Sequence, residues 1–328
     1  MHKTVILPQR PKILFLRQDR IGDVFVSTPV VAAVRKRYPD AQIHFLLSRN
    51  NNAASFALRS NVDRIHVLHK SLFSLLRLFF ELRKERFDLV IDLNHTKSTT
   101  SAILLRAAAA TSSIVLETSV QSAATYVVPQ GDRSRRHIID VLCDLVQPLG
   151  IEIPQDQRRP IVPIQPDKVK DVRRAIDSGD KKILGIQISG SSEDRTYPTT
   201  AMKEVIEQLS VMYPAIAIIL LASPVDHDRA RLLESETTAR FIDTGSSYES
   251  FAAAIALCDW LLSPDTAAVH VAAAHNIPSV VLYSRDRRGF LNWFPYDTVS
   301  EPIITEHSSI SAIHPKEVVG NVVSLMSR

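Results

Sequence analysis

The stretch KILFLRQDRIGDVFVSTPVVAAVRKRYPDAQIHFL, residues 12–46, decides the fold. Its apolar start, Lys12–Arg17, predicts a β-strand, the segment that follows up to Tyr38 predicts a helix, and Gln42–Ser48 predicts a second strand. Short apolar strands that alternate with helices are typical of a parallel sheet covered by helices. We therefore predict an α/β protein built from Rossmann-like, doubly wound sheets.

The same alternation continues through both halves of the chain. In the first half it predicts strands at 64–68 and 89–93, and an amphipathic helix at 133–150 that ends at Gly150. The second half restarts with a strand at 182–188. The remaining predicted helices are 199–213, 226–236, 248–257, 266–274 and 315–327, and the remaining strands are 215–222, 241–243, 260–263 and 279–283.

A proline-rich segment, residues 151–167, separates the two halves. It contains Pro154, Pro160, Pro163 and Pro166. Prolines at this density exclude helix and central strand and favour a stiff, extended connection. We predict Rossmann-like domains at 1–153 and 168–312, a linker at 154–167 and a closing helix at 313–328. Two such domains are expected to bind a ligand at the carboxyl ends of their strands, in the cleft between them.

The composition bounds the class of protein. With 328 residues, 45% hydrophobic and 23% charged, the chain is typical of two globular domains and not of a disordered protein. Two cysteines, Cys143 and Cys258, lie far apart, which indicates a reducing compartment and argues against a disulfide framework or a zinc site. Residues 1–16 lack the apolar core of a signal peptide, and no stretch is long enough to span a bilayer, so we expect a cytoplasmic protein.

The charge and the glycine content narrow the ligands. A formal charge of +4 suits anionic ligands such as nucleotide diphosphates, phospholipid headgroups or nucleic acid. Aromatic residues do not interleave with basic ones as base stacking requires, so nucleic acid is the least favoured of the three. With 9 glycines and no G-x-G-x-x-G, G-x-x-x-x-G-K-[ST] or G-x-S-x-G motif, the sequence excludes the usual dinucleotide, P-loop and hydrolase sites.

The first candidate site is RIGDVFVSTP, residues 20–29, directly after the first strand. Gly22 allows a sharp turn, which places Asp23 at the carboxyl edge of the sheet. Amides at a helix start keep such a carboxylate ionised, which suits a general base. The alternative is that Asp23 only caps the helix. A helix that starts instead at Thr28–Pro29 leaves Asp23 in the preceding turn.

The second candidate site is SPDTAAVHVAAA, residues 263–274. A strand ends at Ser263, and a helix of small residues begins at Asp265 or Thr266. The amides of the helix start, the Thr266 hydroxyl and the helix dipole predict an anion pocket for a diphosphate. His270 lies on the same helix face, four residues after Thr266. The alternative is an ordinary strand-to-helix turn, with Asp265 as the cap and His270 as a satisfied polar residue.

The third candidate site is ISGSSEDRTYP, residues 188–198, after the first strand of the second half. Ser189, Gly190 and Ser191 form a polar loop rich in hydrogen-bond donors, and Arg195 adds a fixed positive charge. A guanidinium in this place is suited to neutralise a departing phosphate, as a metal does in other transferases. The alternative is a solvated loop.

Together these stretches resemble glycosyltransferase family nine, the lipopolysaccharide heptosyltransferases, over nearly the whole chain. The matched stretches are residues 12–46, FDLVIDLNHTKS at 87–98, ILGIQISGSSEDRTYP at 183–198 and WLLSPDTAAVHVAAAHNIPSVVLYS at 260–284. The resemblance implies a GT-B fold and inverting, metal-independent transfer from ADP-L-glycero-D-manno-heptose. It makes the nucleotide sugar a co-substrate of the C-terminal domain, with no cofactor, and assigns an anionic lipopolysaccharide-core acceptor to the N-terminal domain.

The resemblance also implies roles for individual residues. Asp23 becomes the base that deprotonates the acceptor hydroxyl, Arg195 lies near the donor phosphates, and Arg17 faces the anionic acceptor. The family's donor-binding D-T-G-x-x-H segment corresponds to Asp265, Thr266, Ala267, Ala268 and His270. Two positions depart from the family pattern: Ala267 replaces its glycine, which narrows the backbone approach to the donor, and Gln187 stands at an asparagine-like position.

Two basic regions bear on the acceptor. Residues 69–86 carry apolar side chains at helical spacing together with Lys70, Arg77, Arg83, Lys84 and Arg86. They form either a partly buried helix with a solvated basic face or a surface that touches anionic glycolipid at the inner membrane leaflet. Arg133 and Arg136 either hold acceptor phosphates or carboxylates or belong to a solvated helix start. An epimerase of the same architecture and a non-catalytic binding protein remain the rival functions.

Overall fold

The computed structural model describes residues 4–69, 71–119, 121, 124–132, 135–285 and 288–328. These residues form two compact units, which divide the chain between Ile161 and Val162. Each unit contains one six-stranded sheet in which all neighbouring strands are parallel. The predicted α/β class with two doubly wound sheets is therefore confirmed.

The first strand of the first unit lies in the middle of its sheet. Its elements are β1 Lys12–Leu16, α1 Ile21–Arg37, β2 Gln42–Ser48, β3 Arg64–Leu68, α2 Leu72–Glu85, β4 Leu89–Asp92, α3 Thr99–Ala108, β5 Ser112–Leu116, β6 Tyr126–Val128 and α4 Ile138–Asp144. The strand order is β3-β2-β1-β4-β5-β6. The middle strands are buried on both faces, as the apolar runs predict, and α2 and α3 pack beside each other.

The second unit repeats this plan. Its elements are α5 Pro166–Ile176, β7 Ile183–Gln187, α6 Thr199–Met212, β8 Ala217–Leu221, α7 His227–Glu236, β9 Arg240–Phe241, α8 Tyr248–Ala256, β10 Trp260–Pro264, α9 Ala267–Ala274, β11 Ser279–Tyr283, α10 Arg288–Trp293, β12 Ser300–Ile304 and α11 Pro315–Met326. The strand order is β12-β11-β10-β7-β8-β9. Counted from the first strand of each unit, both sheets therefore have the order 3-2-1-4-5-6.

The order of the strands positions the candidate sites. It reverses between β1 and β4 in the first unit and between β7 and β10 in the second. In open parallel sheets, ligands bind beyond the carboxyl ends of the strands at such a switch point. The segments that leave β1 and β4, and those that leave β7 and β10, are therefore the places where each unit is expected to hold a ligand.

Helix α1 begins at Ile21 and continues past Pro29. The alternative start at Thr28–Pro29 is therefore wrong. Pro29 has no amide to bond the carbonyl of Phe25, and the Thr28 hydroxyl donates to that carbonyl instead, at 2.6 Å. The same hydroxyl accepts from the amide of Ile161 at 2.8 Å. A threonine before the proline thus supplies the hydrogen bond that the proline removes.

Other differences from the sequence prediction also trace to proline. The helix predicted at 133–150 is too long: α4 ends at Asp144, and Gln147–Leu149 is a separate 3-10 turn, because Pro148 cannot donate a helical hydrogen bond. Gly150 ends that turn with a φ of 68°. The proline segment was predicted to exclude helix, yet α5 starts there, with Pro166 at its first position. The sequence analysis did not predict α3, α10, β5, β6 or β12.

Candidate active site

Asp23 lies in the first turn of α1, beyond the end of β1. One carboxylate oxygen, Oδ2, accepts from the amide of Arg20 at 2.6 Å, and the other, Oδ1, accepts from Nη2 of Arg17 at 3.0 Å. Its side chain is only 7% exposed. Asp23 therefore does cap its own helix, and it is also half of an almost completely buried ion pair. Both features hold the carboxylate in one orientation at the switch point of the first unit.

The side chain of Arg17 is fully buried, and its hydrogen bonds are made to other residues of the first unit. Its guanidinium donates to both the carboxylate and the backbone carbonyl of Asp23, and to the carbonyl of Leu93 just after β4. The carbonyl of Arg17 accepts from Nδ2 of Asn51 at 2.9 Å. The prediction that Arg17 faces the acceptor does not fit this geometry, because no part of the side chain reaches the surface. Arg17 positions Asp23 instead.

A second carboxylate lies beside this pair. Asp19 follows β1 in the same loop, and its Oδ2 is 4.0 Å from Nη1 of Arg17. Its side chain is 43% exposed, far more than that of Asp23. Partial burial raises the pKa of Asp19, the charges of Arg17 and Arg20 oppose this shift, and the charge of Asp23 adds to it. The sequence analysis missed Asp19, although a carboxylate four residues before Asp23 was visible in the motif.

A buried polar network occupies the other side of the same switch point, after β4. Asp92 accepts from the Ser119 hydroxyl at 2.8 Å and from the amide and the side chain of Asn94 at 3.1 and 2.6 Å. Asn94 in turn bonds the amide of Gln18 and the hydroxyl of Ser101. Burial raises the pKa of Asp92, and these hydrogen bonds oppose the shift. The network ties the loop after β1 to the loop after β4.

A cavity of about 540 Å³ opens next to this network. It lies at the carboxyl ends of β4 and β5 and at the start of α3. Its lining residues are Lys97, Ser98, Thr99, Ala102, Glu117, Ser119 and Gln121. One lysine, several hydroxyls and a helix start are groups that bind anionic or hydroxylated ligands. Lys97 and Ser98 belong to the stretch FDLVIDLNHTKS, but the sequence analysis assigned them no role.

The remaining predicted acceptor residues have other surroundings. Arg136 donates to the carboxylate of Asp144 at 2.7 Å and to the carbonyl of Gln130 at 3.1 Å. Its guanidinium is thus used to hold α4 and the preceding loop together, which argues against the predicted acceptor role. Lys70 and Arg133 lie outside the described residues.

In the second unit, the serine loop leaves β7 and turns back on itself. Ser189 is buried, and its hydroxyl accepts from the amide of Ser223 at 2.8 Å, whereas Ser191 is exposed. A Cβ atom on Gly190 would lie 2.1 Å from the carbonyl oxygen of Arg195. Only glycine permits this contact, so Gly190 allows the loop to close and thereby fixes the position of Arg195.

Arg195 crosses the switch point of the second unit. Its Nη1 lies 3.0 Å from Oδ2 of Asp265, directly after β10, and the two side chains are 24% and 15% exposed. The predicted residues Arg195 and Asp265 therefore do come together. A partly exposed guanidinium at this place is available to an anion that approaches from solvent.

Helix α9 begins next to this pair. Thr266 is its N-cap, and the threonine Oγ1 accepts from the amide of Ala268 at 3.3 Å. Ala267 is the first helical residue, and His270 is buried one turn further on, with its ring centroid 6.1 Å from that of Trp293. Thr266 is therefore the cap, and not Asp265 as the alternative interpretation held, and α9 points its N-terminus at the carboxyl edge where Arg195 lies.

Two residues to which the sequence analysis assigned no role complete this region. Arg229 of α7 donates to the carbonyls of Ile188 and Tyr197 and to the Thr199 hydroxyl, so it clamps both ends of the serine loop. The hydroxyl of Tyr283 is buried and has no hydrogen-bond partner among the described residues. Burial and the nearby charge of Asp265 raise its pKa far above the usual value. The sequence analysis did not predict the contacts of Arg229, because they join residues that are distant in sequence.

Within the described ranges, no group of three or more His, Cys, Asp or Glu side chains is arranged to hold a metal ion. Over the same ranges, no helix combines the length and the apolar character needed to cross a membrane.

Comparisons with known proteins identify the family. The family model of glycosyltransferase family 9 (heptosyltransferase) matches residues 75–313. Lipopolysaccharide heptosyltransferase 3 of Escherichia coli is 24% identical over 295 residues, which cover 84% of this chain and 83% of that protein.

Solved structures of the family share the fold. The crystal structure of the family 9 glycosyl transferase from Veillonella parvula matches with a TM-score of 0.81 and 17% identity, over 100% of this chain and 99% of that chain. The E. coli heptosyltransferase WaaC with ADP matches with a TM-score of 0.74 and 15% identity, over 95% and 99% of the two chains. The fold is thus the predicted GT-B fold. Since the family match spans more than half of its length, the chain belongs to glycosyltransferase family 9, the heptosyltransferases, and is a glycosyltransferase.

Proposed function

We propose that the enzyme transfers a heptose from ADP-heptose to an anionic lipopolysaccharide-core acceptor, with inversion at the anomeric carbon and without a metal ion. The main support for binding of the sugar donor is the partly exposed Arg195–Asp265 pair. It lies at the switch point of the second unit, beside the start of α9. The related WaaC structure contains ADP, which supports an adenine nucleotide as the leaving group.

The donor diphosphate is proposed to bind at the start of α9. Arg195 exchanges part of its contact with Asp265 for a phosphate oxygen. The amide of Ala267 supplies a hydrogen bond along the helix dipole, and the amide of Ala268 does so in exchange for its bond to Thr266 Oγ1. Ser191 lies exposed on the loop that carries Arg195, and Ser189 and Gly190 set the shape of that loop. As negative charge grows on the departing ADP, Arg195 supplies the positive charge that a metal supplies elsewhere.

Asp23 is proposed as the general base. Its carboxylate removes the proton of the acceptor hydroxyl while that oxygen bonds to the anomeric carbon. The bond from the anomeric carbon to the β-phosphate oxygen breaks at the same time, and ADP leaves with the electron pair. The fixed orientation imposed by Arg17 and by the amide of Arg20 supports this role.

Asp19 is the second candidate base. Its greater exposure and raised pKa favour it on chemical grounds, because a base works best with a pKa closer to the operating pH. The acceptor itself is proposed to occupy the cavity lined by Lys97 and Ser119, where its phosphate or carboxylate groups meet the lysine and the α3 start. This placement replaces the acceptor roles predicted for Arg17 and Arg136.

The decisive experiment measures ADP release from ADP-heptose with and without a lipopolysaccharide-core acceptor. Asp23→Asn should lower turnover by about 10²–10⁴-fold, the usual contribution of a general base, while ADP-heptose binding is kept. Asp19→Asn is the matched variant. If Asp19→Asn abolishes turnover and Asp23→Asn does not, the base is Asp19.

Two further results would contradict the proposal itself. Donor turnover that needs no acceptor would indicate an epimerase or a hydrolase, and the absence of any donor consumption would indicate a binding protein. Loss of transfer in EDTA, restored by a divalent cation, would contradict the metal-independent mechanism.

A further inference from the structure

The outer face of α2 exposes an unusual number of large apolar side chains. Leu72, Phe73, Leu76 and Phe80 are 71%, 86%, 48% and 60% exposed. Leu72, Leu76 and Phe80 follow one another at intervals of four residues, and Phe73 lies three residues before Leu76, so the four side chains form one stripe along the helix. We call this stripe, together with the cations on the same helix, the α2 outer face.

The helix itself is firmly seated in the first unit. Leu78 and Leu82, on its opposite side, are buried in a core cluster with Leu14 and Leu16 of β1. Ser71 caps its N-terminus by accepting from the amide of Ser74 at 3.1 Å. The exposed stripe is therefore the second apolar side of a packed helix, and it needs an explanation of its own.

The charges of α2 are sorted between its two sides. Both acids are turned toward the sheet: Glu81 bonds Arg64 at 2.9 Å, and Glu85 bonds Arg64 at 2.7 Å and Lys12 at 2.8 Å. The exposed cations form no ion pair with any described residue; they are Arg77, Arg83, Lys84 and Arg86. The α2 outer face is thus apolar and cationic, with no acid of its own.

We propose that the α2 outer face docks the enzyme on a membrane surface that contains anionic phospholipids. An amphipathic helix that lies in the headgroup region inserts its aromatic and aliphatic side chains and places lysine and arginine against the phosphates. A symmetric contact with a second copy of the chain fits poorly, because it would bring the same unpaired cations together. The proposal rests on the proposed function for its purpose, since a lipid-linked acceptor is presented at such a surface.

Vesicle flotation tests the docking without any donor or acceptor. The full chain is mixed with phosphatidylcholine vesicles, with or without phosphatidylglycerol. The wild type should float with the anionic vesicles, and added salt should release it. F73D/F80D should bind about tenfold more weakly or worse, since two aromatic side chains no longer insert. R77E/K84E should also bind at least about tenfold more weakly at low salt, because each cation near an anionic surface contributes about fivefold.

Matched controls come from the second unit. Val211 and Val225 are 82% and 91% exposed, and V211D/V225D changes two apolar side chains to acids far from α2 in the chain. K170E/R173E removes two exposed cations of α5 in the same way. Both controls should float like the wild type. Because all eight positions are at the surface, unfolding midpoints should stay within a few degrees, which separates lost docking from lost folding.

Several outcomes overturn the proposal: no flotation of the wild type, unchanged flotation of F73D/F80D, or equal losses in the controls. A wild-type dimer in sedimentation equilibrium that F73D/F80D dissociates, with vesicle binding unaltered, would assign the face to self-association. Heptose transfer to detergent-dispersed acceptor is measured separately. Flotation without transfer would refute the proposed function and support the docking. Transfer without flotation would support the proposed function and refute the docking.

Discussion

Both units place an arginine across the switch point of an identical strand order, but they bury it differently. In the first unit, Arg17 reaches from β1 to the carbonyl of Leu93 and pairs with Asp23, and both side chains are almost inaccessible. In the second unit, Arg195 reaches from the β7 loop to Asp265, and both side chains remain partly exposed. The same topological position thus holds a fixed pair in one unit and an accessible pair in the other.

The difference in burial indicates what each ion pair is suited to do. A buried ion pair is costly to break, because the remaining charge has neither water nor a partner. A pair that water can reach costs less to separate, and its cation can exchange its partner for another anion. The Arg17–Asp23 pair therefore belongs to the framework that orients a carboxylate, whereas the Arg195–Asp265 pair is suited to open toward a diphosphate.

The largest expected effect separates the two pairs by stability. Arg17→Met leaves the Asp23 carboxylate buried and unpaired, and it should lower the free energy of unfolding by about 3–5 kcal/mol. Arg195→Met should lower it by clearly less, because water can reach the Asp265 carboxylate that remains. Urea denaturation measures both. R17M/D23N, which removes both charges, should recover part of the loss; equal losses for the two single variants would refute the distinction.

The turnover rate tests the role of Arg195 in the reaction. Arg195→Ala should lower kcat by about 10²–10³-fold, as expected for a lost group that stabilises the departing charge, and should weaken ADP binding. Arg195→Lys keeps the charge but loses the planar fork, so it should recover only part of the rate. An unchanged kcat in Arg195→Ala would reduce this residue to a loop charge.

Acid should weaken the first unit more than the second, because burial lowers the pKa of two histidines in the first unit, His44 and His66, and of His275 in the second. His44 and His66 are buried against each other, with Nδ1 of His44 3.0 Å from Nε2 of His66. Burial and the neighbouring His66 lower the pKa of His44 to about 4, so the unfolded chain takes up its proton first as the pH falls. Stability is therefore complete above about pH 6.5 and declines toward pH 4, by roughly 3 kcal/mol for His44 alone.

Hydrogen exchange measures this decline region by region. Amides of β2 and β3, which carry the two histidines, should lose protection between pH 6.5 and 4 more than those of β7 and β8. His44→Gln, which does not titrate in this range, should flatten the pH dependence. Equal loss of protection in both units would contradict the assignment to this pair.

The sequence predicted the parts of this comparison that depend on local pattern. The strands β2, β3 and β11 have the predicted bounds. Most of β2 and all of β11 are buried, as expected for parallel strands inside a sheet, whereas β3 is an edge strand that contains Arg64 and His66. Asp23, Arg195 and Asp265 lie at the expected sheet edges, because Asp265 follows β10 directly and the other two belong to the segments that leave β1 and β7. The strand β6 shows the limit of this method: with three residues, it is too short for any periodicity.

The contacts that distinguish the two units were not predictable from local pattern. The family resemblance implied that Arg17 faces the acceptor, whereas its burial depends on a carbonyl 76 residues away. Arg229 holds the serine loop from a helix with no motif. The helical Pro29 depends on the hydroxyl of Thr28. Each of these features depends on particular side-chain hydrogen bonds, which leave no periodic trace in the sequence.

The smallest effect tests how the second unit holds its arginine without burying it. Gly190→Ala places a methyl group where the carbonyl oxygen of Arg195 now lies, so the loop must move and separate Arg195 from Asp265. Overpacking of this kind costs about 1–3 kcal/mol, which should appear partly as weaker ADP binding in calorimetry. Gly320→Ala, in α11 with open space around it, is the control and should leave binding unchanged. If Gly190→Ala binds ADP normally, loop closure does not position Arg195, and the accessible pair must be held by Arg229 through the loop ends. The double change G190A/R229K would then show the loss that Gly190→Ala alone does not, because the loop would lack both its tight turn and its clamp.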